Sequence, residues 1–155
     1  MVKRVKPSIY GIHPSVERWA GHAEMPPEYA GAAAYLATAE RYVEDMFSGP
    51  KAALRPIYDA LLMLGLTIGK DTKACPCKTI VPIYRHHVFA QIKPATQKRI
   101  DLGFALGEEP FTSRLHGTGG LAKKDRITHS VALTSLNDID LQIKRWLKEA
   151  YQRDA

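Results

Sequence analysis

The chain has 155 residues, 45% of them hydrophobic and 25% charged, with a formal net charge of +6. That balance excludes a disordered chain and fits one ordinary domain, since about 150 residues bury roughly two thirds of the surface that the unfolded chain exposes. Its two cysteines, spaced C-x-C, close almost no loop and exclude a disulfide scaffold; the longest apolar stretch, ALLMLGL at 60–66, is far short of the roughly 20 residues of a membrane span.

Residues 1–27 are punctuated by Pro7, Gly11, Pro14, Gly21 and the pair Pro26 and Pro27, too often for a long element, and read as an irregular leader. The start, MVKRVKPSIYGIHP, is positive but has no apolar run behind it, so it does not read as a secretory signal; a reduced, cytoplasmic setting is expected. Residues 28–155 read as a single domain. PPEYAGAAAYLATAERYVEDMF opens with prolines and an acid and spaces Tyr35, Ala39, Tyr42, Val43 and Met46 along one face of an amphipathic helix. Ser48, Gly49 and Pro50 break it. KAALRPIYDALLMLGL predicts a second helix, with Leu54, Ile57, Leu61, Leu62 and Leu64 on a broad apolar face. Pro56 must lie in its first turn or kink it, because proline removes a backbone donor.

After Gly69 the period changes, and strands are expected at 78–84, 87–93 and 98–106. The third has the cleanest alternation: Ile100, Leu102, Phe104 and Leu106 fall on one face, Arg99, Asp101 and Gly103 on the other. KPATQ between the second and third makes them an antiparallel hairpin. A polar loop at 107–126, with Gly117, Gly119 and Gly120, leads to ITHSVALT, which alternates again. A closing helix is signalled by Ser135 and Asp138, a capping box with the shorter acid. Leu136, Ile139, Ile143, Trp146, Leu147, Ala150 and Tyr151 form its apolar stripe, and Lys144, Arg145 and Lys148 face water. The expected fold class is α+β: an antiparallel sheet of about four to five strands with two N-terminal helices and a C-terminal helix.

Charge is divided along the chain. Between Glu24 and Asp59, six acids oppose Arg41, Lys51 and Arg55, whereas from Lys70 to Arg99 seven bases face only Asp71. A basic middle of this kind attracts a polyanion or a small anionic ligand; it equally serves as a solubilising surface.

CPCKTIVPIYRHH holds both cysteines and the pair His86 and His87, the ligand types that zinc prefers. One residue between Cys75 and Cys77 is too few for both sulfurs to reach one ion, and neighbouring histidines on a strand point to opposite faces. The cysteines therefore read as packing residues, and no metal or cofactor is expected. His129 shares strand parity with Ile127, Val131 and Leu133 and reads as an inner-face histidine. The loop GTGGLAKKDRITH combines glycines that admit a ligand to the backbone with Lys123, Lys124 and Arg126, although it lacks the P-loop spacing. On the sheet, His87, Phe89, Gln91 and Lys93 share one face by strict alternation, with Arg99 on the hairpin partner and Arg85 near the edge. Together these residues outline an anion site, with Phe89 suited to base stacking; the plain alternative is a solvated sheet face crossed by an Arg99 and Asp101 pair.

The run ACPCKTIVPIYRHHVFAQIKPATQKRIDLGFALG, then GGLAKKDRITH, then DIDLQIKRWLKEAY, resembles an uncharacterised bacterial family described only as a domain of unknown function. The likeness extends back through FSGPKAALRPIYDALLMLGLTIGKDTKACPC and covers residues 35–154. It implies a compact α+β domain and hands over no catalytic residues. Many members of that family carry a small helical domain ahead of this one; here HPSVERWAG runs almost directly into PPEYAGAAAYLATAE, so residues 1–27 read as a remnant of it. Some relatives of the broader group are labelled transport proteins, which conflicts with the lack of an apolar span, and others sit beside nuclease-like domains.

Two functions follow. The first is a non-enzymatic module that binds an anionic partner, either nucleic acid or a phosphorylated small molecule, without a membrane. The alternative is an enzyme on a small anionic substrate, with His129 or His87 as general base and Arg99 or Arg126 as stabiliser. An interaction domain acting through the acidic helical half is a third, plainer reading, and homo-oligomer formation stays open.

Overall fold

The computed structural model describes residues 9–12 and 32–155. Helix α1 (Ala32–Met46) buries Tyr35, Ala39, Val43 and Met46, the stripe that its spacing predicts. The chain reverses at Gly49, whose φ of 75° lies in the left-handed region, and passes through a 3₁₀ turn (Gly49–Leu54) into α2 (Arg55–Thr67). Pro56 stands in the first turn of α2, where its missing amide has no intrahelical partner to lose.

Six strands follow: β1 (Lys73–Ala74), β2 (Val81–Tyr84), β3 (Val88–Pro94), β4 (Ile100–Phe104), β5 (His116–Gly117) and β6 (His129–Leu133). A four-residue helix, α3 (Gly120–Lys123), separates β5 from β6, and a 3₁₀ turn (Leu136–Asp138) leads into α4 (Leu141–Arg153). All strand pairs are antiparallel, in the order β1-β2-β3-β4-β6-β5. The class is α+β.

Register explains the two faces. Ile92 pairs with Leu102 and Leu102 with Val131; this row, with Ala90, Ile100, Phe104 and Leu133, is buried beneath α2 and α4. Phe104 meets Trp146 of α4 edge to face, with ring centroids 6.2 Å apart. One residue out of phase, Gln91 pairs with Gly103, Gly103 with Ser130 and Ser130 with His116, while Lys93 pairs with Asp101 and Asp101 with Ala132. These residues make the opposite face, which is exposed at Lys93, Ala132 and His116.

Three expectations change. Among the described residues the sheet has six strands rather than four or five, because β1 and β5, only two residues each, lie in stretches without alternation. The closing helix begins at Leu141: the Asp138 carboxylate accepts from the amides of Thr134 at 2.8 Å and Ser135 at 3.1 Å and so closes the 3₁₀ turn, while Asp140 caps α4 by accepting from Ile143 N at 3.1 Å. Leu136 is consequently exposed instead of joining the apolar stripe. Of the leader, Tyr10 is buried with its hydroxyl 2.8 Å from that of Tyr58, and Gly11 N donates to Ala74 O at 2.8 Å; residues 1–8 and 13–31, and with them the expected proline start of the first helix, lie outside the described residues. Among the described residues no helix is long and apolar enough to cross a membrane.

Candidate functional site

The sequence-nominated residues divide between the two ends of β3. At its start, the β2–β3 turn is held by Asp154, the residue after α4, whose side chain is only 2% exposed. Its Oδ2 accepts from the amides of His86 at 2.9 Å and His87 at 2.7 Å. Its Oδ1 accepts from His87 Nδ1 at 2.8 Å and from the Arg126 guanidinium at 3.2 Å. Burial pushes the Asp154 carboxyl up, but the His87 amide and ring, the Arg126 charge and the His86 amide together outweigh it and hold the group below its ordinary value. An ionised carboxylate only accepts, so Nδ1 of His87 is the donor of this bond. The His87 side chain is 63% exposed.

Arg126 also donates from Nε to Val88 O at 3.3 Å. With Val88, Gln91, Thr118, Asp125 and Ile127 it lines a cleft of about 380 Å³. Gly103 is required beneath that lining: a Cβ there would stand 2.8 Å from Ile127 Cγ2 and 3.0 Å from Gln91 Cγ.

Phe89 is not on this exposed face. The register shifts between Ile83 and Tyr84, so that Ile83 pairs with Ala90 but Tyr84 with Val88, and Phe89 is the extra residue of a β-bulge. The bulge turns its ring into the core, where it is fully buried. Base stacking on Phe89 is thereby removed.

Arg85 is occupied. Its Nε donates to Asp71 at 2.8 Å, Nη1 donates to Tyr151 O at 3.0 Å, and its guanidinium lies 4.1 Å over the Tyr151 ring. The Tyr151 hydroxyl donates to Asp71 at 2.6 Å and, with Arg85, holds the Asp71 carboxyl down to about 2. This cluster clamps α4 to the β2–β3 turn. Arg99 pairs with Asp101 at 2.9 Å, both partly exposed, and Lys123 and Lys124 are exposed on and just after α3. Among the described residues, Arg85, Lys93, Arg99 and Lys124 do not share the lining of the cleft beside Arg126 or of the one at the far end of β3.

At the far end of β3, Lys93 lines a second cleft, of about 570 Å³, together with Lys51 and Lys78, which sequence reasoning did not nominate. Lys51 comes from the 3₁₀ turn after α1, Lys78 from the approach to β2, and Lys93 from β3; Asp45 is the one acid among the described residues of the lining. Lys51 Nζ donates to Pro94 O at 2.7 Å, which ties the helical layer to the β3–β4 hairpin. No single motif records this convergence, because the three lysines are brought together only by the turns.

His129 is fully buried, as its parity predicts, and both nitrogens are engaged: Nδ1 lies 2.6 Å from Thr128 Oγ1 and Nε2 lies 2.7 Å from Glu109 O. It is not a base open to substrate. Cys75 is buried, and burial pushes the half-buried Cys77 thiol up. Among the described residues no three His, Cys, Asp or Glu side chains gather where they could hold a metal ion.

No curated protein and no solved structure matches this chain. A family model described as "Domain of unknown function (DUF5655)" matches residues 43–154, from the last turn of α1 to Asp154, and thus takes in both clefts and the whole sheet. The match spans well over half of the chain, and the protein belongs to that family.

Proposed function

We propose that the protein is a binding module for phosphate-bearing anions, seated in the cleft formed by Lys51, Lys78 and Lys93. The observation that carries this reading is the convergence of three lysines, from three separate segments, on one concavity of about 570 Å³, a size suited to a small ligand or a short stretch of backbone. Lys51 is oriented by Pro94 O, while Lys78 and Lys93 are exposed. An ammonium is a compact point charge that suits phosphate without demanding a planar partner. With Phe89 in the core, no aromatic side chain among the described residues lines the cleft, and the contacts are read as contacts to phosphate rather than to a base.

The test is anisotropy titration of a labelled single-stranded oligonucleotide and, separately, of a fluorescent nucleoside triphosphate across a salt series. Oligonucleotide binding that weakens steeply with salt identifies a nucleic-acid partner; saturable binding of the triphosphate alone identifies a small molecule. In either case Lys51→Ala, Lys78→Ala and Lys93→Ala combined should weaken binding about tenfold or more. Lack of affinity for both probes at low salt, or equal affinity of the triple variant, overturns the reading.

A further inference from the structure

The cluster at the start of β3 stands apart from the lysine cleft, and its geometry asks for more than a turn cap. Capping the turn needs only Oδ2 of Asp154, which takes the amides of His86 and His87. The second oxygen is spent on the ring of His87, a side chain 63% exposed. The result is an imidazole held in one orientation by a buried carboxylate, with Nδ1 as the nitrogen that donates. The same carboxylate holds Arg126, which commits Nε to Val88 O and one further N–H to Asp154 and keeps the rest of its fork. Carboxylate and guanidinium offset each other's charge. The next residue after His87, Val88, and Arg126 itself both line the 380 Å³ cleft on the exposed face of the sheet.

We propose that His87 is the general base of a hydrolytic site for phosphate esters, with Asp154 as the residue that positions it and Arg126 as the group that stabilises charge on the phosphoryl oxygens. A phosphate ester fits better than a carboxylic ester because a planar guanidinium fork matches phosphoryl oxygens. A water oxygen bonds to phosphorus as the bond from phosphorus to the ester oxygen breaks. The water proton passes to His87 Nε2, steadied by Asp154, and from there to solvent, while the departing oxygen on the opposite side of phosphorus leaves as the phenolate or takes a proton from solvent, giving the alcohol or phenolate and the phosphate. Asp125, which lines the cleft beside Arg126, limits how much negative charge the substrate brings.

The experiment follows release of nitrophenolate from p-nitrophenyl phosphate and from bis(p-nitrophenyl) phosphate as a function of pH, on the full chain. His87→Gln should lower kcat about 100-fold or more. Asp154→Asn should lower kcat with little change in KM, whereas Arg126→Gln should raise KM. Because Asp154→Asn also loosens the turn, the wild-type ring is read separately by nitrogen-15 NMR, with the proton expected on Nδ1. Turnover of neither ester, turnover unaffected by His87→Gln, or a proton on Nε2 of the neutral ring each overturns the proposal.

Discussion

Phe89 and Tyr151 meet edge to face, with ring centroids 5.7 Å apart and planes inclined at 76°. The contact exists because the β-bulge carries Phe89 through to the helix-covered side of the sheet, and it joins β3 to the last turn of α4. Phe89→Ala should therefore destabilise the fold by about 3–5 kcal/mol in a denaturant titration. Phe89→Leu, which keeps most of the volume, should cost less. If Phe89→Ala instead left stability unchanged and weakened only nucleic-acid binding, the ring would have to lie on the exposed face.

His129 should hold the opposite tautomer to His87. The Glu109 carbonyl only accepts, so Nε2 carries the proton and Nδ1 accepts from the Thr128 hydroxyl, which itself accepts from Leu106 N at 3.2 Å. Nitrogen-15 NMR should show the Nε2–H form. His129→Leu should lose about 1–3 kcal/mol by leaving these buried partners unpaired.

Acid should loosen the β2–β3 turn. Asp154 is held below its ordinary value in the folded chain, so its contribution is complete above the unfolded value of about 3.9 and is lost as pH falls through the lower folded value. Asp71, held down to about 2, acts with the same sign. Denaturation midpoints measured from neutral pH downward should fall in the wild type, and the gap to Asp154→Asn should close below that window. A gap that widened on acidification would contradict the bonding assigned to Asp154.

Adjacent glycines in the loop should respond unequally to alanine. Gly119, with φ of 82° and open space around it, bears only the left-handed strain of about 1–2 kcal/mol. At Gly120 a Cβ would press into the backbone carbonyl of Ile127, so the chain before β6 must shift. Thermal melts should show the larger loss for Gly120→Ala.

Much of this fold was legible because local pattern and tertiary role agree. Ile100, Leu102 and Phe104 alternate strictly and all three are buried; Tyr35, Ala39 and Val43 keep helical spacing and do the same. His129 was placed correctly from its parity with Val131 and Leu133. Alternation failed at Phe89, where one inserted residue inverts the face and leaves no mark in the side-chain types. The candidate sites were less legible for a related reason. Asp154 follows α4 as one more charged residue, and only the return of α4 along β3 brings it to the amides of His86 and His87. Lys51 and Lys78 belong to segments of opposite net charge and meet Lys93 only across the folded hairpin.

Both rims of the sheet end in strands of two residues, β1 and β5, and the β1 rim is further occupied where Gly11 donates to Ala74 O. A stub of that length offers another chain almost no ladder to extend, which is how natural sheets resist templated aggregation. The long strands β3 and β4 sit inside, paired on both sides. Self-association, where it occurs, is thus expected through side chains of the exposed face, leaving reversible, salt-sensitive contacts rather than a growing ribbon.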